Sequence, residues 1–508
     1  MLVLERREIV GGACVTEEVW PGYQISTAAY LCSLLLPEIV ADLELARYGF
    51  EVYRRETAGF APFADGRALF LFADAEQTRI ALTDFCRETP EDVAAFFQFE
   101  ADVEAAAEIV ERFTAGIPPN EAQMRRAFAD AGRTEWFEDF ITGSVRNLLD
   151  KRFRNPQLKA LLATDGLIGT YGGPSTPGTA YVLLHHYLGK ILGVRGAWGY
   201  VRGGMGRITQ ALGESLRANG GEIRTNAPVA KILIEGGRAV GVTLESGETI
   251  YADAILSNAD PYRTFVTLLG EDSPIRNEPG LWRDLKQKGG ASCKINLAVS
   301  ELPEYRGREQ EEEGKEKSEA IQNSKSKIQN AVGPEHLGTA HLCDDMDALD
   351  RAFEEAANGY PATEPMIEVY LQTATDSSLT PPGTHILSLF TQYFPYHLAP
   401  GLDLDEERER YADRVIAIIG KYAPNVPASI LHRQILTPRD LEARFGLTGG
   451  HIFHGDLMPP YLFADRPGAG FSGPKTPIPG LYLCGSGASP GGCVYGAPGQ
   501  NTARSILD

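Results

Sequence analysis

The chain has 508 residues, 43% hydrophobic and 23% charged, which are globular values, and its length allows two or three domains around large cores. Its formal net charge of −20 leaves no electrostatic footprint for nucleic acid, and repulsion from anionic lipid is expected. The seven cysteines are scattered without a C-x-x-C, which excludes a dithiol redox motif and fits the cytoplasm or another reducing compartment. No run reaches 18 apolar residues, so no segment reads as a transmembrane helix and any membrane contact would be peripheral.

The chain opens on an apolar strand, Leu2-Val3-Leu4, closed by Glu5 and followed by a Gly11-Gly12 turn. In a dinucleotide fold an acid ending the second strand accepts hydrogen bonds from the adenosine ribose, about 20 residues after a G-x-G-x-x-G loop. With Glu5 in that role, the first strand, the loop and the first helix would precede Met1. Glu5 also has a plainer reading as a solvated strand-end acid, which Gly11-Gly12 at this spacing disfavours.

Residues 84–165 carry helical periodicity, with Ala94, Ala95, Phe96, Phe97, Phe99 and Val103 as an example, and read as a helical cap. From Arg207 to Ala218 the apolar spacing is again helical, and Gly220-Gly221 stops it. Strands are expected over 222–225, 229–234, 239–244 and 249–252, with Gly236-Gly237 and Ser246-Gly247 turning between them. A further buried strand is expected within 253–259. Segments 291–300, 366–372 and 385–391 alternate as half-buried strands and suit a mixed sheet flooring a substrate domain. Between the first two lies Arg306 to Glu335, dominated by Glu, Lys, Ser, Gln and Asn, which reads as a disordered surface insertion.

The most informative segment is C-terminal. Leu481 to Leu483 form a short strand, and a glycine-dense turn follows from Gly485-Ser486-Gly487 through Gly491-Gly492-Cys493-Val494 into a helix. Bare backbone N–H groups and a positive helix end suit an electron-rich or anionic cofactor.

Protein-borne catalysts are scarce. His451 and His454 share a possible helical face but have no H-E-x-x-H partner, so structural roles outweigh a metal site. His185-His186 lies in an apolar run beside or within a substrate cavity, and no G-x-S-x-G elbow appears. Redox chemistry must then come from a cofactor that the protein orients. Trp198, Tyr200, Tyr393, Phe394, Tyr396 and Tyr461 could line an apolar tunnel, although ordinary core is the readier account of each.

Glu5, Arg7, Gly11, Gly12 and Thr16, then Pro21-Gly22-Tyr23, resemble the E-x-R-x-x-x-G-G segment of FAD-dependent amine oxidases and phytoene desaturases. Gly196-Ala197-Trp198-Gly199-Tyr200-Val201-Arg202-Gly203-Gly204-Met205-Gly206 and the C-terminal Gly-Ser-Gly-Ala-x-Pro-Gly-Gly extend the likeness over nearly the whole chain. The family's Gly-Gly-Arg is Gly12-Ala13 here, and Ser486 stands where many such flavoproteins carry an Asp for the ribityl chain. The resemblance implies an α/β, FAD/NAD(P)-binding Rossmann-like fold of the glutathione-reductase type. It further implies FAD held by Glu5, Arg7, Gly11, Gly12, Thr16, Val229 through its backbone, Gly485, Ser486, Gly491, Gly492 and Val494, with no metal. On this reading residues 1–60, 195–285 and 450–508 bind FAD, while 61–194 and 286–449 form the substrate and cap domain. Two functions stay open: a flavin oxidoreductase acting on an apolar, carotenoid-like or lipidic substrate, and a non-catalytic binding or scaffold protein that keeps the fold without flavin.

Overall fold

The computed structural model describes residues 1–306, 331–469, 471 and 473–507. Its largest sheet has seven strands in the order Ile430–Leu436, Ser292–Val299, His385–Gln392, Met366–Tyr370, Thr339–Leu342, Thr57–Pro62 and Ala68–Phe72. Neighbours are antiparallel except Thr339–Leu342 with Thr57–Pro62, which run parallel, so the sheet is mixed as the alternating segments imply. The strand Thr57–Pro62 crosses residue 60 and belongs wholly to this sheet.

Ser292–Val299 is buried along its whole length rather than half-buried. Cys293, Ile295, Leu297 and Val299 pack with Tyr411, Val415 and Ile419 of the helix Leu404–Tyr422. Asp403 starts that helix by accepting from the N–H groups of Asp405 and Glu406 at 3.0 Å. Ser292 and Lys294 face the opposite side, toward a cavity. Strand alternation therefore separates an apolar face under the helix from a polar face that floors the cavity.

Six helices, Ala75–Phe85, Glu91–Glu111, Glu121–Asp130, Val145–Asp150, Pro156–Ala163 and Thr179–His186, form the cap. Phe96, Phe99, Val103, Phe128, Phe140, Leu158 and Leu184 fill its core. The helix Gly206–Ala218 leads to Glu222–Arg224, which pairs in parallel with Leu2–Leu4. An antiparallel meander, Val229–Glu235, Arg238–Leu244 and Thr249–Tyr251, follows in the expected order. Ile255–Ser257 then pairs in parallel with Leu481–Leu483. Burial is the expectation for that segment, yet Leu256 is 40% exposed, because this two-stranded pair and the Leu2–Leu4 pair border the same cavity.

Residues 307–330 of the expected insertion lie outside the described residues. Its last residues are ordered, against expectation: Pro334–His336 form a 3-10 turn in which His336 Nδ1 accepts from Gly333 N–H at 2.9 Å. Nε2 then carries the ring proton and donates to Pro303 O at 2.9 Å, docking the turn on the sheet domain.

Candidate active site

One cavity of about 1790 Å³ joins the N-terminal turn, the meander, the C-terminal turn, the cap and the sheet floor. Glu5, Arg7, Gly11, Gly12, Val229, Gly485, Ser486, Gly491, Gly492 and Val494 all line it. Thr16 does not: its Oγ1 accepts from Gly206 N–H at 2.9 Å and meets Ser26 Oγ at 3.2 Å, bracing the first helix turn behind the site.

At the N-terminal end the backbone of Glu5 is spent on Arg224 O and Ala227 N–H, each at 2.9 Å, while Glu5 Oε1 accepts from Arg7 N–H at 2.8 Å. Gly11 has φ +128°, and a Cβ there would sit 2.6 Å from Cys14 O, so only glycine permits this turn. Glu17 gathers two guanidinium groups, pairing with Arg7 and lying 3.2 Å from Arg444, and it accepts from Thr27 Oγ1 at 2.9 Å. These partners hold its carboxyl below the usual range against its own burial. Arg7 Nη1 and Arg444 Nε are nevertheless left buried without a hydrogen-bond partner. Arg6 and Arg263 line the same end, and burial together with the Arg263 charge lowers the Arg6 pKa. Unsatisfied cationic donors clustered on one wall call for an anion.

At the C-terminal end the strand Leu481–Leu483 delivers Gly485 against Asn258, whose carbonyl oxygen would lie 2.6 Å from an added Cβ. A Cβ on Gly491 would meet Leu457 at 2.6 Å, and one on Gly492 would meet Ser486 Oγ at 2.8 Å. Cys493 and Val494 follow with φ +79° and +54°, left-handed values that a β-branched residue rarely adopts. The helix Ala497–Leu507 begins at once, and Gly496, Pro498 and Gly499 at its positive end line the cavity. His185, fully buried, has Nε2 3.3 Å from Gly492 O, and burial drives its pKa down to about 3.

The cavity floor comes from strand register. Lys294 is opposite Phe390, Phe390 opposite Glu368 and Glu368 opposite His341, a row across four strands that all lines the cavity. Lys294 Nζ donates to Ser388 Oγ and, at 3.3 Å, to Leu389 O, and lies 4.7 Å from the Tyr30 ring centroid; burial lowers its pKa to about 7. No sequence motif announces this row, since strand pairing alone brings its members together. Of the aromatic residues considered for a tunnel, Trp198 lines the cavity beside Tyr30, Phe96, Phe97 and Phe390. Tyr200, Tyr393 and Phe394 are core, and Tyr396 and Tyr461 are outside the lining.

His186 lines the cavity, as its apolar setting suggests. His451 and His454 share no helix, because Gly449 and Gly450 with φ +66° and +67° turn the chain just before them. His451 Nε2 is 3.1 Å from Asp456 Oδ1, a structural contact, and among the described residues no group of His, Cys, Asp and Glu could hold a metal. All seven cysteines are free, and burial raises the Cys14 thiol well above its usual range and those of Cys484 and Cys493 to about 12. Among the described residues no helix is long and apolar enough to cross a membrane.

A glycine-cradled anion site facing a walled cavity is what a flavin dinucleotide requires, and the flavin-containing amine oxidoreductase model matches residues 1–507. The chain belongs to that family. It is 38% identical to mouse pyridine nucleotide-disulfide oxidoreductase domain-containing protein 2, over 99% of this chain and 88% of that protein. It is 26% identical to a limonene dehydrogenase component from Castellaniella defragrans, over 100% of this chain and 90% of the relative. Among solved structures, a putrescine oxidase triple mutant matches with a TM-score of 0.55 at 15% identity, covering 99% of this chain and 92% of the other. A Methanosarcina mazei oxidoreductase matches at 0.54 and 18%, covering 99% and 94%. These likenesses show the α/β flavin-binding fold of the amine oxidases.

The family cofactor is FAD, and the residues present fit it: Arg7 Nη1 and Arg444 Nε are cationic donors without a partner among the described residues, and the turns at Gly11, Gly491 and Gly492 have no room for a Cβ. Replacing Arg7 with Ala should weaken FAD binding by about 1–3 kcal/mol while the protein stays folded, since Glu17 keeps Arg444 and Thr27. Titration of FAD into the variant checks this, and unchanged affinity would make the orphaned donor irrelevant.

His185 generates a pH dependence. Its folded pKa lies below the unfolded value, so as pH falls from 6.5 toward 3 the unfolded chain takes up a proton that the native state refuses. Stability should therefore drop on acidification, by on the order of 2 kcal/mol from this group between about pH 7 and 5. Urea unfolding at both pH values should show a smaller loss in His185→Phe, and an equal loss would remove His185 as the cause.

Proposed function

We propose that the protein is an FAD-dependent oxidoreductase in which an apolar substrate, held between the sheet floor and the cap, gives up or receives a hydride at a C–H or CH–CH position. The observation that carries this reading is the continuity of the cavity, from Arg7 and Gly492 to a wall of Leu31, Phe96, Phe97, Leu161 and Trp198. FAD, when bound, would supply the two-electron acceptor, and its reduced form the two-electron donor. Bare N–H groups of the Gly491-Gly492 turn and the positive end of Ala497–Leu507 are suited to stabilising negative charge that develops beside them. Arg7 and Arg444 bind the cofactor's anionic portion, Glu5 its ribose, and the apolar wall excludes water while the substrate is oriented. The names of several relatives, limonene dehydrogenase, prolycopene isomerase and phytoene desaturase, contain apolar compounds and support an apolar body for the substrate. Among the described residues, we assign the FAD-binding part to those within 1–56, 195–285 and 450–507 and the substrate part to the others, drawing the first boundary before Thr57 because that strand lies in the large sheet.

The decisive experiment is anaerobic reduction of bound flavin by candidate substrates. With Cys14, Cys484 and Cys493 all replaced by Ser, the bleaching rate should stay within about tenfold of the parent, because thiols held above their usual range supply little thiolate. Loss of bleaching with FAD fully bound would revive thiol chemistry, and a protein that never takes up flavin would favour the scaffold reading.

A further inference from the structure

The floor of the cavity carries carboxylates that the fold leaves short of donors. Glu368 is 1% exposed. Its Oε2 accepts from Tyr370 OH, but Oε1 has no hydrogen bond: His341 Nδ1 lies 3.4 Å away and is engaged with Thr164 Oγ1 at 3.2 Å. Asp165 lines the same region, makes no hydrogen bond through its carboxylate among the described residues, and is held above the usual carboxylate range by burial. His186, also 1% exposed, lines the cavity with both ring nitrogens unpartnered.

The nearby basic side chains have hydrogen-bond partners elsewhere. Lys294 donates to Ser388 and Leu389, and Arg55 donates through Nη1 to Thr339 Oγ1 at 2.6 Å and through Nε to Trp198 O at 3.3 Å. Acceptors without donors are costly when buried, and they cluster where the substrate is proposed to lie rather than in packed core. The opposite end of the cavity, with Arg6, Arg7, Arg263 and Arg444, has the reverse imbalance.

We propose that Glu368, Asp165 and His186 form a subsite for a polar end of the substrate, and that the group it takes is a hydrogen-bond donor, a hydroxyl or an ammonium, on an apolar body. This rests on the cavity being the substrate site and narrows the substrate class: a bare hydrocarbon leaves Glu368 Oε1 and Asp165 unpaired, and a carboxylate repels both. His341 and Tyr370 position Glu368 from the neighbouring strand and from its own.

The test is calorimetric binding of four probes with one apolar body, hexan-1-ol, hexylamine, hexane and hexanoate, to the full chain and to Asp165→Asn and Glu368→Gln. The alcohol, the amine or both should bind at least about tenfold tighter than hexane and hexanoate, and the preference should fall by about as much in Asp165→Asn. An amine-only preference identifies the group as ammonium, and an alcohol-only preference as hydroxyl. Asp165→Asn is nearly isosteric, so it tests the subsite even if Glu368→Gln fails to fold. Equal binding of hexane or hexanoate, a preference that survives in Asp165→Asn, or no binding of any probe would overturn the proposal. Flavin content, read separately by visible absorbance, keeps failure of the subsite distinct from failure of the flavin reading.

Discussion

The fully buried guanidinium of Arg466 is the fastening on which the site depends. It donates to Phe453 O and Asp456 O at 2.8 Å, to Gly455 O at 3.2 Å and to Ser486 O at 2.9 Å, so one planar cation ties the 453–456 loop to the glycine turn after Leu481–Leu483. Asp456 in turn accepts from Tyr171 N–H at 2.9 Å and contacts His451, which extends the fastening into the cap. Carbonyl groups in an irregular buried loop need donors, and a rigid five-donor fork satisfies several without further secondary structure. Burial lowers the Arg466 pKa to about 10, which leaves it charged at neutral pH. With this clamp in place, Gly491, Gly492 and the start of Ala497–Leu507 can present bare backbone to a ligand instead of collapsing onto one another.

The second constraint is the electrical asymmetry of the cavity. Glu17 neutralises part of the charge on Arg7 and Arg444 and fixes their orientation, yet it leaves one donor of each without a hydrogen-bond partner. Across the cavity Glu368 Oε1 and the Asp165 carboxylate are acceptors without donors, beside a His186 ring that is itself unpartnered. A dianionic cofactor at one end and a donor-bearing substrate at the other would satisfy both, and the apolar wall between them strengthens each interaction by lowering the local dielectric.

What the sequence revealed follows from the range of the interactions involved. The Gly11-Gly12 turn, the meander from Val229 to Tyr251 and three strands of the large sheet, Ser292–Val299, Met366–Tyr370 and His385–Gln392, are set by local turn chemistry and alternation and form where the residues suggest, although the first two of these strands are buried throughout rather than half-buried and the other four strands carry no such signal. The row of Lys294, Phe390, Glu368 and His341 was invisible because strand register creates it, and nothing in the spacing of those residues specifies register. Arg444 was missed for the same reason: its partner Glu17 is brought to it by tertiary packing. His451 and His454 looked helical only by spacing, which Gly449-Gly450 overrides. Thr16 belongs to the familiar motif but supports the helix Gly206–Ala218 rather than facing the cavity.

The central claim is that this cavity is a site for a dinucleotide flavin, with its arginine end occupied by the phosphates and its glycine turns by the ring. Competitive titration of FAD, FMN and ADP against the full chain tests it most directly. The account predicts that FAD binds at least about tenfold tighter than FMN and that ADP competes with it, because the orphaned donors of Arg7 and Arg444 lie beside Glu5 rather than beside Gly492. Equal affinity for FMN, or FAD binding that ADP leaves untouched, would contradict it.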